Sequence, residues 1–277
     1  MANQDQTQIH NFIRVDGTDF SIAKISASGQ CFRMTKLENG WFQVIADRKR
    51  LLLKQEADGE VLMDCSEEEF KTIWNFYFDL DTDYRHFLEH IDPEDHYLQS
   101  AISYGSGIRI LRQDLWEMII SFIISQQNNI RRIRKCIETV CSHYGTEEDG
   151  FFAFPTPVQL ARATEEELRA LGLGYRSRYL VETAHMIADG KVSLDKLKQM
   201  DYASARAELL KLCGVGAKVA DCICLFGLHH LCAFPVDTHI RQVLASHYPD
   251  GFPAKTYAGY EGVLQQYIFY YDLTASD

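Results

Sequence analysis

The run Leu209-Leu-Lys-Leu-Cys-Gly-Val-Gly-Ala-Lys-Val-Ala-Asp-Cys222 constrains this chain more than any other stretch. Apolar residues at helical spacing stop at Gly214-Val-Gly216 and resume after it, so the segment reads as two short helices joined by a glycine hairpin. Glycine permits a positive φ and close approach of a partner at such a corner. The first amides of the second helix lack intrahelical acceptors and carry the positive end of its dipole, which suits a phosphate oxygen. An ordinary turn would explain Gly-Val-Gly equally well. Lys218 adds a second signal, because the dipole opposes an ammonium in the first helical turn. With partial burial, that opposition is expected to lower the amine's pKa and make it a better nucleophile. A solvated lysine is the plain alternative. Asp237, in Phe234-Pro-Val-Asp-Thr-His239, lies nineteen residues beyond Lys218 and reads as a helix N-cap. If it also faces Lys218, its carboxylate can offset positive charge on a sugar that is losing its base. Cys222 shares a helix face with Lys218 and reads either as core or as a wall of the same pocket.

Bulk properties narrow the class. A 277-residue chain can bury a large core, and 46% apolar with 24% charged residues is ordinary for a globular protein. Met1-Ala-Asn-Gln-Asp-Gln-Thr-Gln8 shows neither a basic nor an apolar signal-peptide region. The apolar run Met118–Ile124 falls far short of the ~20 residues a bilayer span needs, so no membrane association is expected. Cysteines at 31, 65, 136, 141, 213, 222, 224 and 232 form no Cys-x-x-Cys pair and are expected as buried thiols rather than disulfides. An intracellular protein is expected, nucleoid-associated in a bacterium or nuclear in a eukaryote. A net charge of −11 argues against a nucleic-acid partner until its distribution is considered. Residues 56–95 hold fourteen Asp and Glu against Lys71 and Arg85, which leaves the remainder near +1. Residues 103–145 carry a net +3, so one face can meet DNA while another is acidic.

The pattern predicts an α+β protein: an N-terminal antiparallel β-sheet domain, 1–95, followed by a mostly helical body, 96–277, of two helical subdomains. Phe20–Ile25, Trp41–Ile45 and Arg50–Leu53 read as strands, with a turn at Asn39-Gly40 and a further strand at Val61–Met63. Ser66-Glu-Glu-Glu69 and Thr164-Glu-Glu-Glu167 read as capping boxes. Helices are expected over 115–124, 130–144, 179–189, 202–212, 217–227, 238–247 and 257–271, with a connection at Pro155 and Pro157 and a helix ending at Gly172 or Gly174.

Gly214-Val-Gly-Ala-Lys218 with Pro235-Val-Asp237 resembles the helix-hairpin-helix (HhH-GPD) glycosylase superfamily. Other segments narrow the resemblance to its 8-oxoguanine DNA glycosylase/lyase family. Ser28-Gly-Gln-Cys-Phe-Arg33 resembles that family's N-terminal recognition strand. Leu111–Asp114, Ser121–Ser125, Asn128–Ile130, Leu171-Gly-Leu-Gly-Tyr-Arg176 and Lys218–Cys224 continue the match in order, over about residues 20–273.

The resemblance implies an enzyme that flips the damaged nucleotide into a pocket. Lys218 would attack C1′ and form a Schiff base leading to β-elimination, and Asp237 would stabilise the cationic sugar. Gly29 would offer a backbone carbonyl to the N7–H that 8-oxoguanine has and guanine lacks. Phe269 and Cys222 would sandwich the base, with Gln265 at its Watson–Crick edge. His239 would contact a phosphate, oriented by Asp272. Arg132 and Arg176 would read the estranged cytosine, Tyr175 would wedge the gap, and Gly214 and Gly216 would line the phosphate site. Gln127 and Asn128 fall in the family's asparagine triplet. Gln127 departs from it, and a longer amide alters the reach toward cytosine. Met34 replaces a tryptophan, and the segment between Leu244 and Tyr257 is short. The implied partner is duplex DNA with 8-oxoguanine opposite cytosine, bound by a monomer, with no cofactor and no catalytic metal, although hairpin carbonyls are of a kind that holds a monovalent or calcium ion. The alternatives are another helix-hairpin-helix glycosylase or a non-catalytic DNA-binding module. Only Cys232 follows Cys224, which leaves too few thiols there for an iron–sulfur cluster, and alkyl-purine relatives lack the hairpin lysine.

Overall fold

A computed structural model describes residues 12–275. The polar start Met1–Gln8 lies outside the described residues. Five strands form one antiparallel sheet in the order β1-β5-β4-β3-β2: β1 (Ile13–Val15), β2 (Met34–Lys36), β3 (Phe42–Ala46), β4 (Lys49–Gln55) and β5 (Val61–Met63). The sheet buries alternate residues, among them Val44, Leu51, Leu53, Val61 and Met63, against Trp74 and Phe78. These side chains make a core separate from that of the helical body.

Two expected strands take other forms. Phe20–Ile25 lies mostly within a helix, Ile22–Ala27, because Ile22, Ile25 and Ser26 bury one stripe at i, i+3 and i+4 spacing. Short apolar runs fit either period until their neighbours are known. Ser28–Arg33, expected as a recognition strand, is a chain of bends after that helix and enters no ladder. β1 and a small ribbon, Glu147–Glu148 with Phe151–Phe152, were not expected.

The remainder is helical. Leu115–Ser125, Ile130–Tyr144, Ala217–Gly227 and Thr238–His247 lie close to the expected spans. The helix expected over 179–189 begins earlier, at Arg176, and the one expected over 202–212 ends at Leu209. The C-terminal helix, expected over 257–271, is Glu261–Thr274; Gly259, at φ 102°, sits in the turn before it. Thr164 and Glu167 form the complete capping box. Ser66 accepts from the Glu69 amide, but the Glu69 carboxylate accepts from Trp74 Nε1 instead of completing the box.

The two cores are stitched together by residues 28–33 and 108–114. Phe32 packs into the helical core, while Leu111 belongs to the sheet core. Asp79 adds a polar seam: its carboxylate takes Arg112 Nε at 2.8 Å, Tyr84 Oη at 2.9 Å and His229 Nε2 at 3.2 Å. His229 lies two residues past the end of the helix that carries Lys218.

Candidate active site

Both hairpin glycines are structurally distinct. Gly214 has φ 78°, and a Cβ there would lie 2.4 Å from the Tyr179 ring. Gly216 has φ −91°, caps the second helix, and would meet nothing within 4 Å. Gly214 is therefore demanded by the fold, whereas Gly216 leaves open ground over the helix start. No side chain caps that start, so its first amides face outward. The two hairpin helices are clamped by Asp221, which accepts from Arg206 Nε at 2.6 Å and from Tyr202 Oη at 2.8 Å. Hairpin carbonyls are partly engaged, with Gln126 Nε2 donating to Gly214 O and Thr183 Oγ1 donating to Cys213 O. Among the described residues, no three His, Cys, Asp or Glu side chains gather as a metal site.

Lys218 points inward from the first turn, its Nζ 5.5 Å from the centre of the Phe122 ring. Asp237 caps the helix Thr238–His247 through Ile240 N at 2.9 Å and lines the same cavity. The expected lowering of the Lys218 pKa is not what the site produces. Burial does disfavour the ammonium, but the adjacent Cys222 sulfur and the Asp237 carboxylate outweigh it and hold the amine above the ordinary lysine range. Burial pushes the Cys222 thiol up, despite the Lys218 ammonium beside it.

Gly29, Lys218, Cys222, Asp237, Gln265 and Phe269 line one cavity, although they come from four remote segments. Gln265 Nε2 donates to Pro235 O at 3.1 Å, and its Oε1 is buried without a hydrogen-bond partner. Gln265 thus brings an unpaired acceptor to the cavity wall. The cavity encloses about 50 Å³, room for a few waters and far below the ~300 Å³ where ligand pockets begin. Phe269 packs against Gly29 at the cavity wall: a Cβ built on Gly29 would lie 3.1 Å from its ring. His239 stands at the rim, with Nδ1 3.1 Å from Asp272 Oδ2 and its ring edge-on to Phe269.

Sequence reasoning missed Ser28, Phe122, Phe226, Pro235 and Gln266 as cavity walls. Apolar walls look like core in a sequence. Gln266 carried one available signal, as a second amide beside Gln265.

The surface beside the hairpin carries the remaining expected residues. Gln127 is exposed, with a left-handed backbone at φ 47°. Asn128 Nδ2 donates to Ile124 O, and Asn129 caps the next helix through Arg132 N. Arg132 is exposed and reaches Gly172 O at 3.3 Å. Tyr175 is 41% exposed. Arg176 is not free at the surface. It is buried, with its guanidinium donating to the carbonyls of Gln126 and Gln127 and its face over Tyr175 at 4.6 Å. In this state it braces the loop that bears Gln127.

Residues 12–119 match the family described as 8-oxoguanine DNA glycosylase, N-terminal domain. Residues 120–256 match the HhH-GPD superfamily base excision DNA repair protein. The yeast N-glycosylase/DNA lyase is 34% identical over 265 residues, covering 85% of this chain and 70% of the yeast protein. An Arabidopsis thaliana N-glycosylase/DNA lyase is 41% identical over 150 residues, covering 51% of this chain and 41% of that protein. A Clostridium acetobutylicum 8-oxoguanine glycosylase/lyase, solved with double-stranded DNA containing cytosine opposite 8-oxoguanine, superposes with a TM-score of 0.87 at 34% identity, covering 96% of this chain and 98% of that one.

Proposed function

The chain belongs to the 8-oxoguanine DNA glycosylase/lyase family of helix-hairpin-helix enzymes, and on that premise we propose which of its residues carry the reaction. It is a bifunctional DNA repair enzyme that flips 8-oxoguanine out of duplex DNA, excises it and cuts the strand by β-elimination. No helix of the described residues is long and apolar enough to cross a membrane. Its substrate, chromosomal duplex with 8-oxoguanine opposite cytosine, fits an intracellular monomer, nucleoid-bound in a bacterium or nuclear in a eukaryote.

The single observation that carries the reading is the shared cavity. An amine and a carboxylate meet there with an unpaired amide oxygen, a glycine backbone and an aromatic ring. Lys218, relieved of its proton, attacks C1′ as the bond to N9 breaks and the base departs with its electron pair. The lysine-bound sugar opens to an imine. Loss of a C2′ proton then expels the 3′ phosphate, and water releases the lysine. Asp237 stabilises positive charge on the sugar while the bond to the base is broken. Gly29 accepts from N7–H, Gln265 meets the Watson–Crick edge, and Phe269 and Cys222 flank the base. Gly214 and Gly216 hold a phosphate at the helix start, with His239 on a neighbouring one. Arg132, Tyr175, Gln127 and Asn128 meet the gap and the estranged cytosine, and Arg176 reaches it only by releasing the loop carbonyls it now braces.

Borohydride reduction tests the assignment. The protein should be trapped covalently on duplex DNA containing 8-oxoguanine opposite cytosine, because the imine is reducible. Lys218→Gln should give no trapped complex while still binding the duplex. Trapping that survives the substitution would move the nucleophile elsewhere.

A further inference from the structure

The Ser28–Gln30 segment belongs to no helix or ladder, yet it is almost wholly buried, with Ser28 1% and Gln30 0% exposed. Backbone groups buried without regular structure need other partners, and here glutamines supply them. Gln266 Nε2 donates to Ser28 O at 2.6 Å, from the C-terminal helix 238 residues away in sequence. Gln113 Nε2 donates to Gln30 O at 2.8 Å. The Gln30 side chain donates to Ser28 Oγ and Arg109 O and accepts from Leu111 N. Among the described residues, the Gly29 carbonyl between these two capped carbonyls accepts nothing.

We propose that Gln266, assisted by Gln30 and Gln113, determines base specificity by holding this segment so that Gly29 presents the one unpaired carbonyl to the base. Gln266 is a positioning residue: it acts through the backbone, and its donated hydrogen bond fixes the peptide on the N-terminal side of Gly29. Gln113 fixes the next peptide but one, between Gln30 and Cys31, beyond the peptide that carries the Gly29 carbonyl. Gln265 and Gln266 are adjacent on one helix, so a single rigid element sets both the reader of the Watson–Crick edge and the seat of the N7–H acceptor. Discrimination by a single hydrogen bond depends on such placement, because an acceptor free to turn away would no longer repel guanine N7.

The proposal rests on Gly29 as the acceptor of N7–H, and its test separates the two. Gln266→Met keeps the length of the side chain but cannot donate. Three quantities are measured: single-turnover excision of 8-oxoguanine, cutting of a preformed abasic strand, and, in a Lys218→Gln background, relative affinity for 8-oxoguanine and guanine duplexes. The ratio of excision to abasic cutting should fall about tenfold or more, and the affinity preference should fall with it. An unaltered ratio and preference overturn the clamp. If Gln266→Met fails to fold, Gln266→Asn keeps a buried amide that falls one methylene short of Ser28, and the same two outcomes decide. A wild-type protein that cuts abasic strands but leaves 8-oxoguanine in place would overturn the lesion assignment, and the clamp with it.

Discussion

Gln127 occupies a backbone conformation that suits it poorly. At φ 47° a non-glycine side chain is crowded against its own carbonyl, and asparagine tolerates this region better by bonding locally. Gln127→Asn should therefore raise the stability of the free protein by a few tenths to about 1 kcal/mol, measured as a shift of the urea midpoint. A fall would mean that the longer amide makes a contact outweighing the strain. Lys218 teaches a different lesson at this scale. Its place in a first helical turn was legible from spacing alone, but its charge state was not. The dipole is a local property of the helix; Asp237, which helps to hold the proton on, arrives from another one.

At the scale of elements, the hairpin separates folding from binding. Gly214→Ala should destabilise the protein by about 2 kcal/mol or more, since it meets both a positive φ and the Tyr179 ring. Gly216→Ala has neither problem, and its stability should remain within about 1 kcal/mol of wild type. Its methyl group would nevertheless stand over the uncapped amides, so duplex affinity should weaken about tenfold. Thermal melts and fluorescence anisotropy on the two variants check this, and equal affinity for Gly216→Ala would remove the phosphate from the hairpin. Helices with strong caps and long periodic faces could be read from sequence, as at Ile130–Tyr144 and Thr238–His247. Ile22–Ala27 could not. Six residues carry too few repeats to separate a period of 3.6 from a period of 2, and only the packing of Ile22 and Ile25 into the sheet core decides.

Across the whole molecule, the sheet and the helical body are joined at Asp79. Burial opposes its ionisation, but hydrogen bonds and charges from His229 and Arg112 prevail and hold the carboxyl at about 2. A folded pKa below the unfolded value of ~3.9 means that its stabilisation is complete above that value and is lost as pH falls toward 2. Asp79→Asn, which tolerates the native φ of 53°, should cost roughly 1–3 kcal/mol at pH 7 and flatten the loss of stability between pH 4 and 2. Urea titrations at neutral and acid pH measure both effects, and parallel acid limbs for the two proteins would discard the role. The same seam bears on legibility. The sequence by itself determined the hairpin, the lysine, the capping aspartate and most helices, because spacing and capping act within a few residues of chain. Only the tertiary structure decided that Phe269 packs against Gly29, that Arg176 turns inward and that, of the Ser28–Gln30 carbonyls, the Gly29 one is left free. Each of those depends on a partner tens to hundreds of residues away, and burial at close range sets the energy of such contacts.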